Sequence, residues 1–257
     1  MNGLMNTYRE VLRSYYGQVK ERTERHYLFY RYVYRPLSFP LSAIAIRSGA
    51  SADGVTFVNL LLLIAAMVTV AWGTPGAMLA GAVLFFAYFV LDFVDGNIAR
   101  YFRVSSYFGK LIDGMVDTLS FVLFSAVALG NARAGTSLIG GELEIALGVA
   151  ATISAFIRQN YRWRLAYLRS EMGLTIMADA QRDKPDSTSG EHRVRLIVWL
   201  FDNAATSTPI VLLGAACTGL VSIFVVAFFI LYAIGGNLET LLSIVKNRVT
   251  LLERRDH

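Results

Sequence analysis

The chain is poor in the residues that most soluble enzymes use for chemistry and cross-linking. It has 257 residues but one cysteine, Cys217, and three histidines, His26, His192 and His257. A lone cysteine excludes a disulfide framework and a cysteine-based zinc site. Three histidines far apart in polar stretches argue against a histidine dyad and read as solvated surface groups. Charge is scarce too, at 17% of residues, where soluble domains carry about 25%. No internal repeat divides the chain. The segment MNGLMNTYREVLRSYYGQ contains no apolar run and so does not read as a cleaved signal peptide. What is abundant is hydrocarbon. Hydrophobic residues make up 55% of the chain, and the mean hydropathy is +0.48.

These features predict an all-α, polytopic membrane bundle. Six apolar segments have the length of about 17 to 25 residues that crosses the bilayer. They run over Val55–Trp72, Ala77–Tyr101, Tyr107–Leu129, Leu143–Trp163, Val194–Leu213 and Ala216–Gly235. The fifth and sixth are divided near Gly214. With six spans, every Lys and Arg except Arg133 falls on one side, which the positive-inside rule makes cytoplasmic, together with both termini. The predicted organisation is an N-terminal arm (1–50), a six-span domain (51–236) and a basic cytoplasmic tail (237–257).

In the arm, HYLFYRYVYRPLSFPLSAIAIRSG mixes aromatic rings with spaced arginines. That pattern suits an amphipathic segment in the headgroup plane, with membrane lipids as partners. The polar stretch RDKPDSTSGE (182–191) reads as a loop. Arg133, Glu142 and Glu144, on the far side, read as a surface ion pair. Trp72, Tyr101 and Trp163 read as interfacial belt residues.

The unexpected residues are four aspartates in LDFVDGNIARYFRVSSYFGKLIDGMVDTLS. At about 100° per residue, Asp92, Asp95, Gly96 and Ala99 share one helix face at the cytoplasmic end of the second span. Gly109, Asp113 and Asp117 share a face of the third. A short connection makes the two spans antiparallel neighbours, so all four carboxylates can point into one space. An aspartate at the centre of a membrane helix costs about 2.5 to 3.5 kcal/mol, and four together repel. Arg100, Arg103 and Lys110 offset part of that. Two divalent cations offset more, and oxygen ligands suit Mg²⁺, Mn²⁺ or Ca²⁺ rather than zinc. Gly96, Gly109 and Ala99 leave room beside the aspartates, either for close helix packing or for a bulky phosphorylated ligand.

The pattern Asp92-x-x-Asp95-Gly96-x-x-Ala99-Arg100-x8-Gly109-x3-Asp113-x3-Asp117 resembles the signature of the CDP-alcohol phosphotransferases. Arg35-Pro36-Leu37-Ser38 and Ser51-Ala52-Asp53-Gly54-Val55-Thr56 also look like the family's lead-in to its first span. Members often have a Pro-Asn pair where this chain has Ala52-Asp53. The resemblance implies a membrane transferase in which an acceptor hydroxyl displaces CMP from a CDP-linked alcohol. By position, Asp92, Asp95 and Asp113 would be the principal ligands of two Mg²⁺ or Mn²⁺ ions. Asp117 would be the general base and a further metal contact. Asp92, Gly96, Ala99, Arg100 and Gly109 would line the CDP site. CDP-diacylglycerol or a soluble CDP-alcohol could donate, to a lipid or small polyol acceptor, in phospholipid or related synthesis. Homodimers are common in such members, so a homodimer is an expected partner, and nucleic acid is not.

Arg158, Arg162 and Arg164, after the fourth span, are candidates for an acceptor or lipid phosphate, or for surface anchoring. Asp202 and Asn203, inside the fifth apolar run, are candidates for a site or an interhelical hydrogen bond. A competing reading is a divalent-cation transporter or channel. Against it, the carboxylates cluster at one end and form no acidic ladder across the bilayer.

Overall fold

A computed structural model describes residues 2–24, 26–104, 107–171 and 203–252, and every regular element among them is helical. The arm folds into α1 (Asn2–Tyr15), α2 (Val19–Glu24) and α3 (Arg35–Arg47), with π-helical turns over Tyr30–Tyr34 leading into α3. The apolar side of α1 does not face open solvent. Val11 and Tyr15 pack against Phe39 of α3, and Tyr34 stacks on Phe93 with ring centres 5.7 Å apart. The arm is thus a helical layer built onto the bundle.

The first two spans are punctuated by local chemistry. Helix α4 (Ala52–Ala71) starts after Ser51, whose Oγ accepts the Gly54 N–H at 3.1 Å. Helix α5 (Pro75–Phe102) starts after Thr74, whose Oγ1 accepts the Ala77 N–H at 3.2 Å. Such caps satisfy N–H groups that a helix start leaves without partners, and proline fits the first turn. The 28 residues of α5 span about 42 Å, longer than the roughly 30 Å hydrocarbon layer. Its C-terminal part carries the aspartate motif. Arg103 closes α5 with φ 54°, a left-handed conformation, and the Val104 N–H returns to the Ala99 carbonyl at 3.0 Å. Glycine usually fills that position, and a side chain there costs about 1 to 2 kcal/mol.

The third apolar segment is interrupted. It consists of α6 (Tyr107–Leu119) and α7 (Val122–Arg133), with tightened turns at Ser120 and Phe121 directly after Asp117. Helix α8 (Gly141–Glu171) is one continuous helix containing the expected fourth span. Then come α9 (Thr208–Thr218), α10 (Val221–Phe229), π-helical turns over Ile230–Gly236, and α11 (Asn237–Leu252). Among the described residues, four segments are long and apolar enough to cross a membrane: Ala52–Ala71, Pro75–Phe102, Leu111–Arg133 and Val221–Val245. The expected break between the last two spans lies at Gly219 rather than Gly214. Gly219 has φ +74° while Gly214 stays within α9, because the reversal needs a left-handed residue. The helix that follows runs on without interruption through position 236 to Leu252. The 182–191 stretch, Asp202 and the first part of the expected fifth span lie outside the described residues.

Close helix approach depends on glycine at two crossings. A Cβ at Gly130 of α7 would run into the Val70 carbonyl of α4, and one at Gly81 of α5 would meet the Val70 side chain and the Ala66 carbonyl. Small residues permit the dispersion contacts that hold helices together in lipid. Phe124, Phe224, Phe228 and Tyr232 fill the space between α7, α10 and the π-helical turns. The expected surface ion pair at the far end does not form. Glu144 is fully buried, accepting from Asn131 Nδ2 at 2.7 Å and Ser222 Oγ at 2.9 Å. Arg133 instead donates to the Ala71 carbonyl at 2.8 Å. Glu144 therefore ties α7, α8 and α10 from inside.

Candidate active site

Helices α5 and α6 bring the aspartates together by side-chain reach. Their backbones approach each other less closely than those of α4 and α5 do, and α6 leans on α4. Carboxylate oxygens of Asp92, Asp95 and Asp113 nonetheless lie within 4.8 Å of one another. That is a compact set of hard oxygen donors able to hold a divalent ion. Asp117 stands beside this trio, with Oδ1 3.5 Å from the Tyr88 hydroxyl of α5.

Each carboxylate has a different environment. Asp95 is the most enclosed, and its Oδ2 accepts from Thr56 Oγ1 of α4 at 2.7 Å. Asp92 and Asp113 are half-buried. The Tyr30 ring sits edge-on to Phe93 at 4.8 Å. Burial, then the negative charges of Asp92 and Asp117, push the Tyr30 phenol well above its usual value, so it stays a proton donor beside the cluster.

The cations that act on the trio come partly from an unexpected place. Lys20 of α2 exerts a weak through-space attraction on Asp92, Asp113 and Asp117, and Arg100 a weak one on Asp95. Lys20 also lies 3.4 Å from Glu24. Arg100 is held by Asn97, whose Oδ1 accepts from Arg100 Nη2 at 2.8 Å. Gly96 faces the Arg100 guanidinium, with 3.4 Å from a Cβ built there to its nearest nitrogens. Ala99 is half-buried on α5, Gly109 lies in the first turns of α6, and Asp53 is exposed at the start of α4.

Asn97 belongs to a buried network that nothing in the aspartate spacing announces. Arg35 donates to both oxygens of Glu24, at 2.7 and 2.6 Å, and to Asn97 Oδ1 at 2.8 Å. Its guanidinium lies between the rings of Tyr15 and Phe93, 4.4 and 4.5 Å from their centres. Asn97 Nδ2 completes the set by donating to Ser38 and Ser42. Burial would raise the Glu24 carboxyl, but the hydrogen bonds and charge of Arg35, with Lys20, hold it below its ordinary value. Burial and then the Glu24 charge push the Tyr15 phenol up to about 12.

The three arginines of α8 do not converge. Arg158 is buried and makes a paired contact with Glu239 of α11, at 2.9 and 2.6 Å. Arg162, one helical turn on, lines the same α8–α11 side. Arg164 points elsewhere, into a cavity of about 470 Å³ lined by Thr118, Phe156, Gln159, Asn160 and Trp163. Six residues along a helix turn the side chain away from Arg158. Trp163 is not simply a belt residue: its ring covers Gly114 of α6, leaving no space there for a Cβ. Asn203 holds the arm, accepting from the Leu28 N–H at 2.8 Å and donating to the His26 carbonyl at 3.1 Å.

A family model described as CDP-alcohol phosphatidyltransferase matches residues 50–235. No curated protein matches the chain.

Proposed function

The chain belongs to the CDP-alcohol phosphatidyltransferase family, and on that premise we propose that it transfers a substituted phosphate from a CDP-linked alcohol to an acceptor hydroxyl, releasing CMP. The observation that carries this reading is the convergence of three carboxylates from two helices on one point, with Asp117 beside them. Asp92, Asp95 and Asp113 would hold divalent Mg²⁺ or Mn²⁺, with two ions matching the four negative charges. Bound there, the ions would neutralise the donor's diphosphate and the charge that develops in transfer.

The remaining work falls to the chain's own groups. Thr56 orients Asp95 through its hydrogen bond. Gly96 and Ala99 leave space for the nucleotide, with Arg100 and Gly109 at its border. Asp117 accepts the proton of the acceptor hydroxyl as its oxygen bonds to phosphorus and the bond to CMP breaks. The cavity beside Thr118, with Arg164 at its wall, gives the acceptor an approach to Asp117. Donor and acceptor follow either of two patterns, CDP-diacylglycerol with a polar alcohol or a soluble CDP-alcohol with a lipid or polyol. We further propose six spans, the run Leu143–Trp163 within α8 and the apolar run Val194–Leu213 completing the four apolar ones. The division would be an arm (1–50), a transferase domain (51–236) and a tail (237–257), with termini and active site cytoplasmic and the unit a homodimer.

The direct test is CMP release by the purified chain from a panel of CDP-alcohols with Mg²⁺. Release should stop with EDTA, and Asp92→Asn should weaken metal-dependent donor binding. No release from any donor, with Mn²⁺ crossing liposomes that contain the protein, would overturn the transferase in favour of transport.

A further inference from the structure

The arm and the end of α5 border an open chamber of about 860 Å³. Arg13 and Lys20 come from the arm, Arg100 and Arg103 from α5, and Ser14 and Gln18 add polar groups. The one carboxylate in its lining, Glu10, already accepts from the Tyr101 hydroxyl at 2.9 Å. Lys20 has Glu24 3.4 Å away, a carboxylate that Arg35 also holds, and the surplus of positive charge around the space favours an anion.

Three further observations give the chamber the character of a built site. Arg100 is fixed from behind by Asn97, which is itself held by Arg35, Ser38 and Ser42. Its Nε is buried with no hydrogen-bond partner. Arg103 takes part from a left-handed backbone position that an arginine seldom occupies. Arg100 lines the chamber and its guanidinium also faces Gly96, next to Asp95, so the chamber adjoins the aspartate motif. Its volume lies in the range of small-molecule sites, about 300 to 1,000 Å³.

We propose that the N-terminal arm forms one wall of the donor site, with Arg13 and Lys20 binding the phosphate of the donor's nucleotide half opposite Arg100. The buried Glu24–Arg35–Asn97 network acts as its positioning frame. This inference rests on the transferase reading and assigns to that site residues from outside the aspartate motif.

The experiment is calorimetric titration of CMP into the full chain in nanodiscs of neutral lipid, with EDTA present. CMP should bind and weaken with added salt. Arg13→Ser with Lys20→Ser should lower affinity about tenfold or more, and Arg13→Lys with Lys20→Arg should largely restore it. Unchanged affinity in the serine pair overturns the inference. A measurement on the wild-type chain avoids any folding defect: bound CMP should slow acylation of the Lys20 amine, read by peptide mass spectrometry. Equal acylation with and without CMP is a refutation. Nanodiscs containing phosphatidylglycerol separate the two phosphate sources. Protection of Lys20 by that lipid, and none by CMP, would make the occupant a headgroup and overturn the nucleotide assignment. The two readings fail differently. Normal transfer with an unchanged donor KM in the serine pair removes the chamber and leaves the transferase. CMP binding through Lys20 without transfer from any donor does the reverse.

Discussion

A carboxylate in a crowded site is useful only when its oxygens are aimed, and Thr56 aims Asp95. Removing a hydrogen bond to a charged group costs about 1.5 to 3 kcal/mol. Thr56→Val should therefore raise the Mg²⁺ concentration needed for half-maximal CMP release by about ten- to a hundredfold, while Thr56→Ser stays near wild type. Titrating Mg²⁺ at saturating donor makes the comparison. Asp117 differs in kind. It stands next to Tyr88 and outside the trio, so Asp117→Asn should reduce kcat by about 10²- to 10⁴-fold with donor affinity nearly unchanged. A matching loss of affinity would place it chiefly among the ligands. The face shared by Asp92 and Asp95 was legible in the spacing alone. Thr56 as the partner of Asp95 was not, because helical periodicity says which side a residue occupies and nothing about which neighbouring helix meets it.

At the scale of elements, the arm is where the sequence was least transparent. Its aromatic and basic mixture suits a membrane surface, yet Arg35 is buried against Glu24, two residues whose separation along the chain gives no periodic signal. Breaking one partner of a buried pair costs about 3 to 5 kcal/mol, so Arg35→Met should free the arm. The pH dependence follows from the two shifted groups. Glu24 titrates below its ordinary value when folded, so its contribution is whole above the unfolded carboxylate value and is lost as pH falls through the folded one. Tyr15 is raised to about 12, so its contribution is whole below about 10 and declines as pH rises from there towards 12. Protection of residues 2–24 from protease should accordingly hold at neutral pH and fade at both extremes. Glu24→Gln should abolish the acid-side fall specifically. The break after Asp117 was equally hidden, since Ser120 and Phe121 carry no proline or glycine to mark it.

For the whole molecule, apolar runs gave the helical membrane class directly, but the far end shows what a run cannot reveal. Glu144 looked like a surface charge because it stands near the start of a span, and only packing shows that Asn131 and Ser222 enclose it. Glu144→Ala leaves those donors without their acceptor, at about 1 to 3 kcal/mol. The detergent-solubilised variant should melt several degrees lower, with Glu144→Gln intermediate. CMP release below the melt should persist, because the aspartates lie at the opposite end of the bundle. The break at Gly219 was misplaced for a related reason: two glycines close together both permit a turn, and the surrounding helices decide which one makes it.

The clasp between Asn203 and the backbone of His26 and Leu28 joins positions that emerge from the ribosome far apart in time. Tyr34 repeats the join by donating to the Thr206 carbonyl at 3.1 Å. Until translation has passed these residues, the first helices have no late partner to seat them, even though both aspartate-bearing helices have already been made. The arm is thus held twice, on α5 through Arg35 and Tyr34 and again at positions 203–206, and only the second hold waits for the later part of the chain.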